Sequence, residues 1–177
     1  VPPSDGVPMI RRTALLGFAL AALTVALDRV TKVWALDALF EPPTRIKVLE
    51  VLNLVPVWNR GVSFGLLSSD LEWGPWLLGG FALAVAVALV VWLLRADNPI
   101  LAAGLGLVIG GAVGNAIDRA LYGAVVDFVD AHWHDLHWPA FNIADAAITL
   151  GVVFLLLDAL GIGTGSRASE GGRASDG

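Results

Sequence analysis

The sequence predicts an all-α polytopic membrane protein: four transmembrane helices with a small stranded region outside the bilayer. Three observations carry this. Hydrophobic residues make up 56% of the 177 and charged ones 15%, with a mean hydropathy of +0.74, far beyond what one soluble domain of this length needs for its core. Four apolar stretches, about 13–36, 75–94, 100–117 and 141–160, can each cross a hydrocarbon layer about 30 Å thick, which takes roughly 20 helical residues. The segments between them, 37–74 and 118–140, are too polar and too punctuated to span. A water-soluble enzyme is thereby excluded. The absence of cysteine removes disulfide frameworks, thiolate metal sites and a cysteine nucleophile. A formal charge of −5 argues against nucleic acid and against a polybasic lipid-binding surface, so partners are expected within the bilayer, membrane lipids among them.

Each element has its own signature. The first span follows Arg11–Arg12, a pattern shared with cleavable twin-arginine and Sec signal peptides. No small-x-small cleavage site follows the run from Ala14 to Leu27, and apolar residues resume at Val30, Val33, Trp34 and Leu36, so an uncleaved helix is expected. In 37–74, Ile46, Val48, Leu52, Leu54 and Val57 are interspersed with Thr44, Lys47, Glu50 and Asn53, which predicts two short strands packed on the membrane surface. The second span, Pro75 to Leu94, carries no charge and opens on a proline, where a helix tolerates one. The third begins after Pro99 and places Gly106, Gly110 and Gly114 at four-residue spacing, baring one face for close helix packing. Its Gly110–Gly111–Ala112–Val113–Gly114 run is not a phosphate loop, because no strand precedes it and it holds no basic residue. The fourth span completes a single membrane-embedded domain over 1–160, and the Gly, Ser and charged residues of 161–177 predict a disordered tail.

Four spans put both termini on one side. Arg11, Arg12, Arg95, Arg167 and Arg173 lie with the termini and six basic residues lie with the long loops, so the raw tally does not orient the chain. The basic pair abutting the first span and Arg95 in a tight turn place the termini in the cytoplasm, where the positive-inside bias acts most strongly. Both long loops then face outward. Trp34, Trp58, Trp73, Trp76, Trp133 and Trp138 fall near the outer boundary, as an aromatic belt would.

An ionisable side chain near the bilayer centre costs about 2.5 to 3.5 kcal/mol on insertion scales, so each one needs a reason. Asp28 and Lys32, four apart on the first helix, share a face and read as an intramembrane ion pair. Asn115 and Asp118 are three apart at the outer end of the third helix, with Arg119 following. Asp127 sits in the apolar run Val125–Val126–Asp127–Phe128, and Asn142 and Asp145 are expected on one face of the fourth helix. Two carboxylates brought together in a partly dry site share one proton, and their titrations separate. The ionised member then takes a proton from water while its neutral partner hydrogen-bonds a scissile carbonyl, which is aspartic-protease chemistry and calls for no cofactor. Composition does not say which aspartates meet. Asp118, Asp127, Asp130 and Asp145 are all candidates, and a proton relay in a small proton-coupled transporter is the rival class.

Five motifs narrow the choice: Asp28-Arg29-Val30-Thr31-Lys32, Asn59-Arg60-Gly61-Val62-Ser63-Phe64-Gly65, Gly114-Asn115-Ala116-Ile117-Asp118-Arg119, Val125-Val126-Asp127-Phe128 and Phe141-Asn142-Ile143-Ala144-Asp145. In this order, over residues 13 to 160, the chain resembles the lipoprotein signal peptidases, also called signal peptidase II. The resemblance implies an intramembrane aspartic endopeptidase of the bacterial cytoplasmic membrane with Asp127 and Asp145 as the catalytic pair. It makes Asp118 a supporting residue, lets Asn59, Gly61, Asn115, Arg119 and Asn142 line the substrate site, and gives Asp28 and Lys32 an architectural role. It further implies a β-cradle over 44–68 and, as substrate, a prolipoprotein cut before its diacylglyceryl-modified cysteine. A globomycin-type cyclic lipopeptide is the inhibitor it implies.

Other residues invite different chemistry. His132, His134 and His137 suggest a metal site, but flanked by Trp133 and Trp138 they read better as interfacial side chains. Ser63 and Ser68–Ser69 lack a base placed within reach and read as loop residues. Asp158 is expected to reach the interface at the cytoplasmic end of the last helix.

Overall fold

A computed structural model describes residues 12–61 and 73–161. Arg11, Val62-Ser63-Phe64-Gly65, Ser68–Ser69 and the tail from 162 lie outside the described residues. The elements in chain order are α1 (Arg12–Leu39), β1 (Ile46–Leu49), β2 (Leu52–Asn59), α2 (Gly74–Leu93), α3 (Pro99–Tyr122), β3 (Val125–Trp133), β4 (Leu136–His137) and α4 (Ile143–Ala159). Helices α1, α2 and α3 are long and apolar enough to cross a membrane. The last helix has 17 residues.

Helix α3 is the centre of the bundle, packing against α1, α2 and α4. The predicted glycine stripe is what permits this. A Cβ at Gly106 would stand 2.2 Å from the Gly17 carbonyl oxygen of α1, and one at Gly110 would stand 2.7 Å from that of Ala21. On the α4 side, a Cβ at Gly111 would lie 2.4 Å from the Ala144 carbonyl oxygen. These contacts bring backbones together where side chains would hold them apart. At the α2–α3 turn, Pro99 occupies the first helical turn and the Asn98 side chain caps α3 by accepting from Leu101 N at 2.8 Å. The Asn98 amide also donates to Asp158 Oδ1 at 2.8 Å, so Asp158 is engaged by the bundle.

The strands form one antiparallel sheet in the order β1-β2-β3-β4. This changes two expectations. The all-α description holds for the spanning helices only, and 118–140 is not a loop: α3 continues to Tyr122, where Gly123 ends it in a left-handed conformation (φ 68°), and β3 and β4 follow. Strand β3 was hidden because Val125 to Phe128 are buried consecutively, which erases the alternation that marks a half-exposed strand. The two strands expected between 37 and 74 are present as β1 and β2. In the β2–β3 register, Trp58 lies opposite Val126 and Val57 opposite Asp127.

Candidate active site

The first strut of the site is a buried charge cluster. Lys32 and Asp28, both fully buried on α1, pair at 2.8 Å as their spacing predicts. The same ammonium reaches Asp118 Oδ2 at 2.8 Å and donates to Asn115 Oδ1 at 3.0 Å, so one buried charge joins three side chains. Asp28 Oδ1 accepts from Ala144 N at 3.0 Å, fastening α1 to the first turn of α4. Asp118 accepts from Arg29 through Oδ1 and from Val126 N through Oδ2 at 3.1 Å. It thus holds β3 one residue before Asp127. Arg29 was not singled out by spacing, because its partner is 89 residues away.

Asn142 is the second strut. It stands just outside α4 as the N-cap, and Asp145 is the third helical residue, where the two form a capping box. The expectation that both lie on one helical face therefore gives way to a tighter relation. Asn142 Oδ1 accepts from Asp145 N at 3.0 Å and Asp145 Oδ2 accepts from Asn142 N at 3.2 Å. The Asn142 amide donates to Asp127 Oδ1 at 2.7 Å and to Asn115 Oδ1 at 3.2 Å. Asn115 in turn donates to Asp145 Oδ1 at 2.7 Å.

Asp127, 1% exposed on β3, accepts from Asn59 through Oδ2 at 2.8 Å. Burial pushes its carboxyl up to about 6, with the negative charge of Asp145 adding to the rise against the lowering hydrogen bonds from Asn59 and Asn142. Asp145 is half-buried at the mouth of α4. Asn59 Oδ1 accepts from Gly61 N at 2.8 Å, and Gly61 sits at φ 73°, a conformation glycine adopts without strain. A Cβ there would lie 2.6 Å from Leu78 Cδ1 of α2 and 3.4 Å from the Arg119 guanidinium. Arg119 donates to the Asn115 carbonyl at 3.2 Å and interacts electrostatically with both Asp145 and Asp127. The structure therefore gathers Asn59, Gly61, Asn115, Arg119, Asp127, Asn142 and Asp145 into one site, with Asp28, Lys32 and Asp118 directly behind it.

Asp130 does not join them. Three residues along β3 from Asp127, it points to the other side of the sheet and accepts from His137 at 2.7 Å and Asn53 at 3.0 Å. Burial pushes its carboxyl up, but those hydrogen bonds outweigh it and hold the group below the usual range. His132 stacks on His137 at 4.9 Å, and among the described residues no group of three His, Asp or Glu is arranged to hold a metal ion.

Residues 20–161 match the family described as signal peptidase (SPase) II. A lipoprotein signal peptidase of Caulobacter vibrioides is 48% identical over 151 residues, 84% of this chain and 89% of that protein. That of Methylocella silvestris is 40% identical over 166 residues, covering 91% and 97%. Among solved structures, a bacterial membrane enzyme determined in meso at 2.3 Å matches with a TM-score of 0.68 at 27% identity, over 90% of this chain and 94% of that one. Another, at 1.9 Å, matches with a TM-score of 0.69 at 29% identity, over 81% and 92%.

Proposed function

The chain belongs to the signal peptidase II family, and we propose that Asp127 and Asp145 are the aspartates with which it cleaves. It is an aspartic endopeptidase that removes the signal peptide from prolipoproteins. The family assignment displaces the proton-relay transporter reading. The observation that carries the assignment of roles is the unequal setting of two carboxylates joined by Asn142. Asp127 is the drier of the two and its raised pKa suits it to hold the shared proton. Asp145 lies in the first turn of α4, where the helix dipole favours negative charge, and suits the ionised role.

In this reading the Asp145 carboxylate takes a proton from water as the water oxygen bonds to the scissile carbonyl carbon, and Asp127 gives its proton to the carbonyl oxygen. In the collapse, Asp145 passes its proton to the amide nitrogen, the C–N bond breaks, and Asp127 recovers a proton from the departing carboxyl product. Arg119, which interacts electrostatically with both carboxylates, and Asn59 line the substrate groove. The bond cut is the one before a diacylglyceryl-modified cysteine, and a globomycin-type lipopeptide would occupy the same groove.

The protein is a multi-pass membrane protein. We further propose that α4 also spans, since its 17 residues reach about 26 Å at roughly 1.5 Å each. The termini then lie in the cytoplasm, with the site near the outer face of the bacterial cytoplasmic membrane. The test is purified protein in detergent with a diacylglyceryl-modified prolipoprotein and its unlipidated twin, read by gel shift. Cleavage of the lipidated form alone is expected. Equal cleavage of both would contradict the substrate assignment.

A further inference from the structure

The hydrogen bond from Asn59 to Asp127 has to be held from β2. Besides its pairing with β1 and β3 and the packing of Leu54 on the cluster of Ala35, Leu39 and Phe40, β2 is held at Trp58 by aromatic contacts. The Trp58 ring meets Phe40, at the end of α1, edge-on at 4.9 Å, and meets Tyr122, at the end of α3, at 5.7 Å. Arg29 stands over the Tyr122 ring at 5.9 Å and donates to its hydroxyl at 3.4 Å. That same Arg29 pairs with Asp118, which accepts from Val126 N. Trp58 and Val126 are register partners, immediately before Asn59 and Asp127 in their strands.

Both members of one cross-strand pair are therefore tied to the helices, Val126 through Asp118 and Trp58 through the rings. Arg29 serves both ties. Trp58 is 46% exposed, so its place is set by ring contacts with Phe40 and Tyr122 rather than by deep burial. We propose that Trp58, lodged between Phe40 and Tyr122, is a positioning residue that sets the Asn59 amide on Asp127. The proposal rests on the reading of Asp127 as catalytic.

The test follows the Asp127 carboxyl by infrared spectroscopy in detergent, its band assigned by loss in Asp127→Asn, together with kcat/KM on a lipidated prolipoprotein. Asn59→Ala removes the donor outright, and the Asp127 titration midpoint should move upward. Trp58→Ala and the bulkier Trp58→Leu should move it in the same direction and lower kcat/KM roughly tenfold. Trp58→Phe, which keeps a ring against Phe40 and Tyr122, should restore both. A Trp58→Leu, Asn59→Ala double variant should shift the midpoint no further than Asn59→Ala alone.

A folded Trp58→Leu protein with the parent midpoint would overturn the proposal, as would shifts that simply add in the double variant. Should Trp58→Ala fail to fold, Trp58→Leu and Tyr122→Leu give the same reading. The titration needs no turnover, so the two readings fail separately: full activity in Asp127→Asn overturns the catalytic assignment, and an unmoved midpoint overturns the positioning role.

Discussion

Asn142 donates its side-chain amide to Asp127 Oδ1 at 2.7 Å while its side-chain oxygen caps Asp145 N at 3.0 Å, so one side chain orients a carboxylate on a strand and another on a helix. A cap alone needs only a short polar side chain, whereas reaching Asp127 needs the amide. Asn142→Ser should keep most of the cap and lose the donor. We expect its unfolding temperature to stay near the parent's and kcat/KM to fall roughly tenfold, the scale of one hydrogen bond to a neutral carboxyl. Equal losses of stability and activity in Asn142→Ser would reduce Asn142 to a cap.

Lys32 gives a different expectation. Its ammonium pairs with both Asp28 and Asp118 in a fully buried cluster, and removing one partner of such a pair costs about 3–5 kcal/mol. Lys32→Ala should therefore lower the yield of folded protein before any specific kinetic defect is seen. If it accumulates normally, unfolds like the parent and is inactive, Lys32 acts in the reaction and not in the architecture.

The raised pKa of Asp127 links stability to pH with a definite sign. A carboxyl raised from 3.8 to about 6 favours the folded state through its neutral form. That contribution is fully present below pH 3.8 and is lost as the pH rises through about 6. Its full size is on the order of 3 kcal/mol. Thermal unfolding in detergent should show the stability of the parent falling relative to that of Asp127→Asn as the pH rises across this window. Parallel curves for the two proteins would contradict the assignment.

Sidedness is testable because the chain has no cysteine of its own. Glu50, Asp135 and Asp97 are all exposed, the first two on the sheet's turns and the last in the α2–α3 turn. Single cysteines at 50 and 135 should label with an impermeant maleimide in intact spheroplasts, and one at 97 should not. The reverse pattern would put the site on the cytoplasmic side.

Much of this architecture was legible in the sequence because its signals are local. Apolar runs marked the helices, four-residue glycine spacing marked the seam between α1 and α3, and the i,i+4 spacing of Asp28 and Lys32 marked their pairing. The capping box was legible too, as Asn142 followed three residues later by Asp145, but helical periodicity took both into the helix. What stayed hidden is non-local. Arg29 finds Asp118 across 89 residues, Trp58 meets Tyr122 by tertiary packing, and β3 carries no alternation from Val125 to Phe128 because that stretch is buried on both faces. Composition alone does not separate Asp130 from Asp127, and strand register places them on opposite faces of the sheet.

The most direct test of the central claim is the turnover of Asp127→Asn and Asp145→Asn, each shown by thermal unfolding to be folded, on a diacylglyceryl-modified prolipoprotein. Each substitution keeps shape and removes the carboxylate, so each should lose several orders of magnitude in kcat. Asp118→Asn should retain activity in proportion to the protein that folds, because Asp118 holds Val126 and Lys32 and lies behind the dyad. Parent-like turnover in either Asp127→Asn or Asp145→Asn would contradict the two-aspartate mechanism.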